Sequence, residues 1–290
     1  MDRSPFIADE ELFERMNLAE RLQHLGLVVT FFLLVLTGLP LFFYDFKLFR
    51  WLIPSEAAFQ VRGIIHRLAA IGLIGVVIWH LGYTLFTPRG RRNFREIRPR
   101  FRDARDALQL FGHNLGIARF LERKGLFRKL FRKHPFWLFD RPPLFGRYNF
   151  IEKFEYWAVA WGSLVMILTG FFMWQVELSL RLFPLWVHDI FVVIHGYEAI
   201  LAFLSIIIWH MYNVHFNPEV FPMSKIWLNG RITGHELRTL HALEYQAIHL
   251  AREGKQAPPK AAGRPTHRGQ NLKSKPPGKT PNATRNSRPS

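Results

Sequence analysis

Three features of the sequence predict an all-α integral membrane protein: a four-helix bundle of duplicated helical hairpins, followed by a disordered C-terminal tail. Its apolar residues come in four helix-length blocks, its basic residues are segregated between and after those blocks, and the first two blocks share a pattern with the last two. Of the 290 residues 49% are apolar, and 28 are Phe, more than soluble chains usually carry. A soluble protein with four buried core helices is the alternative that such blocks must be weighed against.

The first residues, MDRSPFIADEELFERMN, are polar and acidic, with no basic n-region and no small-residue cleavage site nearby. The first block, Leu25–Phe43, is therefore expected to be a retained span and not a signal peptide. The second, third and fourth spans are expected at Gly63–Phe86, Tyr156–Val176 and Ile190–Tyr212, each close to the ~20 residues that cross ~30 Å of hydrocarbon. Trp51, Tyr83, Trp157, Trp174, Trp186 and Tyr212 stand at the span ends, where an aromatic belt would lie.

The formal net charge is +17. Spread over a soluble surface it would suggest nucleic acid; segregated, it reports topology and no nucleic-acid partner is expected. Arg and Lys crowd segment 87–155, as in TPRGRRNFREIRPRFRD (87–103) and LERKGLFRKLFRKH (121–134), while loops 44–62 and 177–189 carry few. The positive-inside rule puts 87–155 and both termini in the cytoplasm and the two short loops outside. Residues 101–134 alternate apolar and basic positions as a helix lying on the inner leaflet would, so membrane lipid is an expected partner. Residues 1–252 read as the membrane domain. Residues 253–290, rich in Pro, Gly, Lys and Ser, have too few bulky apolar residues to fold and read as the basic tail. The NAT at 282–284 matches a glycosylation sequon, without meaning on the cytoplasmic side.

There is no cysteine, which excludes disulfides, thiolate-held iron–sulfur clusters and thioether-linked haem. A redox group would have to be held by histidine or noncovalently.

LVLTGLPLFF (34–43) parallels VMILTGFFMW (165–174), and IIHRLAAIGLIGVVIWH (64–80) parallels VIHGYEAILAFLSIIIWH (193–210). The overlay sets His66 with His195, His80 with His210, and His24 with Tyr156. Two hairpins of the same orientation imply a pseudo-twofold axis along the membrane normal, with spans two and four facing each other. The 14- and 15-residue spacings turn an α-helix by about −40° and +60° from whole turns and advance it by about 21–22 Å, so each pair shares one side at two depths. Ionisable residues inside a membrane are rare and usually functional. Imidazoles on facing helices suit bis-axial ligation of haem iron, whereas zinc would gather its ligands at one depth. Ala69, Ala70, Gly72 and Gly75 in span two, Gly196, Ala199, Ala202 and Ser205 in span four, and Gly38 and Gly170 beside them are small enough to border a haem slot, or to let helices pack closely. Arg67 is placed to snorkel or to meet a haem propionate, and Glu198 to handle protons or pair with Arg67. His188 and Asp189 read as outer-loop residues.

ERLQHLGLVVTFFLLVLTG (20–38), RGIIHR (62–67) and HGYEAILAFLSIIIWH (195–210) resemble the four-helix di-haem cytochrome b subunits of formate dehydrogenases and nickel–iron hydrogenases, across most of 15–215. The resemblance implies two b haems, the outer one on His66 and His195, the inner one on His24 and His210. His80 departs from that pattern. The repeat pairs it with His210 where the family would use His24, and with His215 nearby a third haem is conceivable. The resemblance further implies electron relay in a respiratory complex of the bacterial inner membrane, between a quinone (menaquinone or ubiquinone) and an outward-facing iron–sulfur or multihaem subunit. Such a chain is the quinone-reactive subunit of an oxidoreductase and not a complete enzyme, and no catalytic residue is nominated. A proton-coupled transporter and a noncatalytic membrane anchor are the alternatives, the first disfavoured because the repeat is not inverted.

Overall fold

A computed structural model describes residues 7–116 and 142–254. The chain is all-α apart from one small strand pair, and four of its helices are long and apolar enough to cross a membrane. They are α1 (Leu18–Phe42), α3 (Glu56–Phe86), α6 (Phe150–Trp174) and α8 (Leu185–Leu204), the last continuing without a break to Phe216. Each starts five to seven residues before its apolar block; the first three begin at a polar cap, Asn17, Ser55 and Asn149, and the fourth follows Pro184. Asn17 caps α1 in a box with Glu20, and Asn149 caps α6 in a box with Glu152. Such caps are worth about 1 kcal/mol each, and their matching positions carry the repeat beyond the apolar runs.

Apolar side chains on these helices face outward all round: Leu36 is 68% exposed, and no residue in the apolar window of the fourth span is buried. A helix apolar on every side must lie inside a large protein or inside lipid. With no surrounding protein layer among the described residues, lipid is the environment that fits, and the soluble-core alternative falls away.

Closest packing joins α1 to α3, α6 to α8, and α1 to α8. Spans two and four therefore meet across the bundle axis through side chains and not by close helix packing, which leaves the width that a planar cofactor needs. Gly26 and Gly72 serve the α1–α3 contact: a Cβ on Gly26 would stand 2.9 Å from Val76, and one on Gly72 would stand 3.0 Å from Thr30. Gly196 holds the Phe42 ring, and Gly162 holds the Glu198 carboxylate. These small residues thus pack protein against protein.

Between His66 and His80 the span is plain α-helix, whereas between His195 and His210 it turns π-helical over Ser205–His210 and again over Tyr212–Phe216. The fourth span carries one residue more than the second between its histidines. Wider π turns hold more residues per turn, so the extra residue is absorbed and His210 comes back to the side from which a regular helix would have rotated it.

Short helices α2 (Lys47–Leu52) and α7 (Val176–Leu182) turn the two hairpins at the end carrying His66 and His195. His188 lies within α8, its Nδ1 3.1 Å from the fully buried Ser179 Oγ. The other, basic end is covered by α4 (Pro88–Ile97), α5 (Phe101–Asn114) and a cap built from both ends of the described chain. In that cap β1 (Leu12–Glu14) pairs antiparallel with β2 (Arg231–Thr233), with α9 (Ile226–Asn229), α10 (Gly234–Leu240) and α11 (Ala242–Arg252) around it. Gly230 adopts a left-handed φ of 76°, and a Cβ there would meet Met16 O at 2.2 Å. Arg15 anchors the cap: it is 6% exposed, pairs with Glu244 at 2.7 Å and donates to Arg147 O. A helix is present over the first part of the 101–134 segment, as α5; residues 117–134 and the tail from 255 lie outside the described residues.

Candidate functional site

At the end away from the cap, the His66 and His195 ring centres are 6.4 Å apart. Thr37, on the neighbouring span, stands beside His66, and Thr169 stands likewise beside His195. Each threonine hydroxyl donates its proton to a carbonyl four residues back, Leu33 O at 2.6 Å and Val165 O at 2.7 Å. The hydroxyl oxygen is then left to accept, and the imidazole Nδ1–H donates to it, at 2.8 Å in both cases. Both histidines are thereby held with Nδ1 protonated and Nε2 bearing a free lone pair, the tautomer a metal takes. Gly38 and Gly170 make room for these rings: a Cβ on Gly38 would lie 3.3 Å from His66 Cε1, and one on Gly170 3.0 Å from His195 Cε1. Their role is to seat the histidine.

Arg62 was not singled out by the sequence. Its Nη1 donates to Thr37 O at 2.8 Å, while its Nε is buried without a partner. Arg67 lies over the Trp174 ring at 5.6 Å, and the Glu198 carboxylate lies against Gly162.

Toward the basic end His24 and His210 face each other, again with 6.4 Å between ring centres. His210 Nδ1–H donates to Glu155 at 3.1 Å, and Asn213 Nδ2 holds the other carboxylate oxygen at 3.1 Å. His24 Nδ1 is buried and has no partner, and its ring packs 6.2 Å from Trp227 of the cap. His80 stands apart from this pair. Its Nδ1–H donates to Gln23 Oε1 at 2.9 Å and its Nε2 accepts from the Tyr156 hydroxyl at 3.1 Å, so both ring nitrogens are engaged. His215 packs beside Phe216. Among the described residues no three His, Asp or Glu side chains converge on one point; the imidazoles meet in twos.

The donor set fits haem. With metal–nitrogen bonds of about 2.0 Å and about 1.1 Å from ring nitrogen to ring centre, two imidazoles pointing at one iron stand about 6 Å apart, close to both observed spacings. An orphaned imidazole nitrogen in one pair and a fixed free Nε2 in the other are what such a cofactor would engage.

The family model of prokaryotic cytochrome b561 matches residues 107–225, the part of the chain that holds spans three and four with Thr169, His195, Glu155 and His210. No curated protein matches the chain. Together with the four apolar helices, the match fits a four-helix cytochrome b membrane subunit of a bacterial membrane, and such a protein transfers electrons through haem b. His24, His66 and His80 lie outside the matched residues, so their part rests on the repeat and the geometry.

Threonine could have been found from the sequence, since LTG occurs in both halves at one register. Glu155 and Gln23 occupy equivalent repeat positions beside Tyr156 and His24, a second signal of the same kind. Trp227 and Arg62 left none, because their contacts come from how separate elements dock.

Proposed function

We propose that this chain carries electrons across the bacterial inner membrane through two b haems, one held by His66 and His195, the other by His24 and His210. The membrane domain of residues 1–252 performs this, with segment 87–155 and both termini in the cytoplasm. A quinone exchanges electrons at the basic end, and an iron–sulfur or multihaem subunit docks at the other. The observation that carries the reading is the pair of facing imidazoles at two depths with one spacing, three of the four having Nδ1 tied so that Nε2 is open. Haem supplies a one-electron carrier when bound; the protein supplies its seat and its surroundings. Thr37, Thr169 and Glu155 orient the imidazoles and set their basicity. Arg62, with its buried unpaired Nε, and Arg67 are the cations nearest His66, placed to neutralise propionates. His80 is not an axial ligand in this arrangement, since Gln23 and Tyr156 use both of its nitrogens.

The experiment is a haem assay on the purified chain expressed with ample haem. Two haems per chain, extractable with acid acetone because no thioether link can form, and b-type bands on reduction are expected. A folded, colourless protein would sink the reading.

A further inference from the structure

The four imidazoles assigned to haem are not held alike. Thr37, Thr169 and Glu155 accept the Nδ1–H of His66, His195 and His210 in turn. His24 has no such tether: its Nδ1 is buried without a hydrogen-bond partner among the described residues. A tied nitrogen fixes the rotation of the ring about its Cβ–Cγ bond, a torsion that is otherwise broad and roughly two-fold. An untied ring is held by packing or not at all.

Among the described residues the aromatic neighbours of His24 are His210, the facing imidazole, and Trp227, whose ring centre is 6.2 Å away with the planes inclined by 51°. Trp227 belongs to α9, beyond the end of the fourth span, and α9 is clamped to the stretch of chain that leads into His24. Gly230 O, just past α9, accepts from Arg15 N at 2.7 Å and from Met16 N at 3.0 Å. Leu228 O accepts from the guanidinium of Arg21, which lies one turn ahead of His24 on α1. The indole is thus fixed to the same piece of chain as the imidazole it faces, by bonds that involve neither ring.

We infer that Trp227 is the positioning residue for His24: the indole confines the imidazole to the orientation that ligation needs, doing by packing what a hydrogen bond does for the other three ligands. This rests on the haem reading proposed above and deepens it. With no acceptor on Nδ1, His24 is the least electron-rich of the four imidazoles, so its bond to iron is the one that opens first. A segment that follows span four therefore governs a ligand carried by span one, and His24 stays on the iron only while α9 is docked.

The test is carbon monoxide binding by the reduced, haem-loaded chain in lipid nanodiscs, followed by stopped flow, because the rate scales with the fraction of time that an axial ligand is off the iron. Trp227→Leu, which keeps an apolar side chain in the cap and loses the flat face, should speed binding about tenfold over the wild type, the size that one lost ring contact gives. Trp227→Phe, which keeps a face, should return most of the wild-type rate, and His24→Ala marks the open limit. Hydrogen exchange across 231–252 separates positioning from undocking and should be unchanged in both Trp227 variants. Should exchange rise in Trp227→Leu, Trp227→Met, whose flexible side chain fills the space without offering a face, replaces it. A wild-type rate with the cap docked would overturn the inference. So would equal acceleration in the Phe and Leu variants, since a face would then not be what holds the ring. A colourless wild-type chain, or a His24→Ala variant that gains no carbon monoxide binding, would instead overturn the haem reading or its ligand assignment.

Discussion

At the end carrying His66 and His195 the two hairpins do the same thing: each gives one histidine, one threonine to fix its tautomer and one glycine to make room for its ring. At the basic end the hairpins have parted. One seat keeps two imidazoles and a carboxylate; its twin has a phenol and an amide. A symmetric pair can place one cofactor on the axis, where both halves contribute equally. Off the axis the same duplication makes two seats, and the residues facing His80 and His210 decide what each can hold. Among the described residues the π-helical stretch lies in the fourth span, whose His210 faces His24, and not in the second, whose His80 faces Tyr156.

Removing a ligand at the symmetric end should give the largest effect. His66→Ala and His195→Ala are each expected to abolish that haem and leave the other's reduced spectrum intact, giving one haem per chain by pyridine haemochromogen assay. Equal loss from both substitutions is what a seat on the axis demands. Loss of both haems from either one would show that the ends do not act independently.

Next in size is the contrast between His24 and His80, which tests the asymmetry directly. His24→Ala should convert the inner haem to a five-coordinate form that binds carbon monoxide, because a direct bond to iron is lost. His80→Ala should leave it six-coordinate and low-spin. The reverse result would return His80 to the ligand set and leave the Tyr156 hydrogen bond without its present meaning.

Smaller still are the groups behind the ligands. Glu155 receives the Nδ1–H of His210 as a carboxylate, whereas Thr169 receives that of His195 as a neutral hydroxyl, so Glu155 makes its imidazole the more electron-rich ligand. Electron-rich ligation favours ferric iron. Glu155→Gln should therefore raise the inner midpoint potential by tens of millivolts, where ~59 mV is tenfold in a one-electron equilibrium. Thr169→Val should move the outer one less. Redox titration of each variant measures both shifts, and an equal shift at both ends would erase the electrostatic difference between them.

Much of this was legible in the sequence because membrane spans and repeats are one-dimensional signals. Four apolar runs gave the bundle, and two copies of LTG and IWH gave the hairpins and brought His66 to His195. The pairing of His210 was not legible from the repeat, which set His80 opposite it. The overlay says which residues are equivalent, and equivalence across a twofold axis is not contact across it. Gln23 and Glu155 stood in plain view but speak only once the helices are rotated against each other. The cap was invisible for another reason: β1 and β2 come from opposite ends of the described chain, and three-residue strands carry no periodicity.

The cap is found at the basic end alone, and it should make that end alone sensitive to acid. His241 is 3% exposed; its Nδ1–H donates to Gly146 O at 2.8 Å and its Nε2 lies 3.2 Å from Arg15 Nη2. Burial, and then the Arg15 guanidinium, push its pKa down from 6.5 to about 3, since a second ring proton would have to point at a cation. A group with a depressed folded pKa that is neutral when deprotonated leaves the open cap binding the extra proton as pH falls. Docking is thus fully stabilised above pH 6.5 and weakens between 6.5 and about 3, by up to ~1.4 kcal/mol per pH unit. Hydrogen exchange across 231–252 should accelerate, relative to the spans, when the pH is taken from 7.5 to 5 after correction for intrinsic rates. His241→Gln, which keeps a polar side chain that does not titrate there, should flatten that change. Trp227 sits against His24 from this same cap, so in the wild type a small change in the inner haem's spectrum should follow the exchange while the His66–His195 end stays constant. Acid sensitivity of equal size at both ends would mean that the bundle, and not the cap, is what yields.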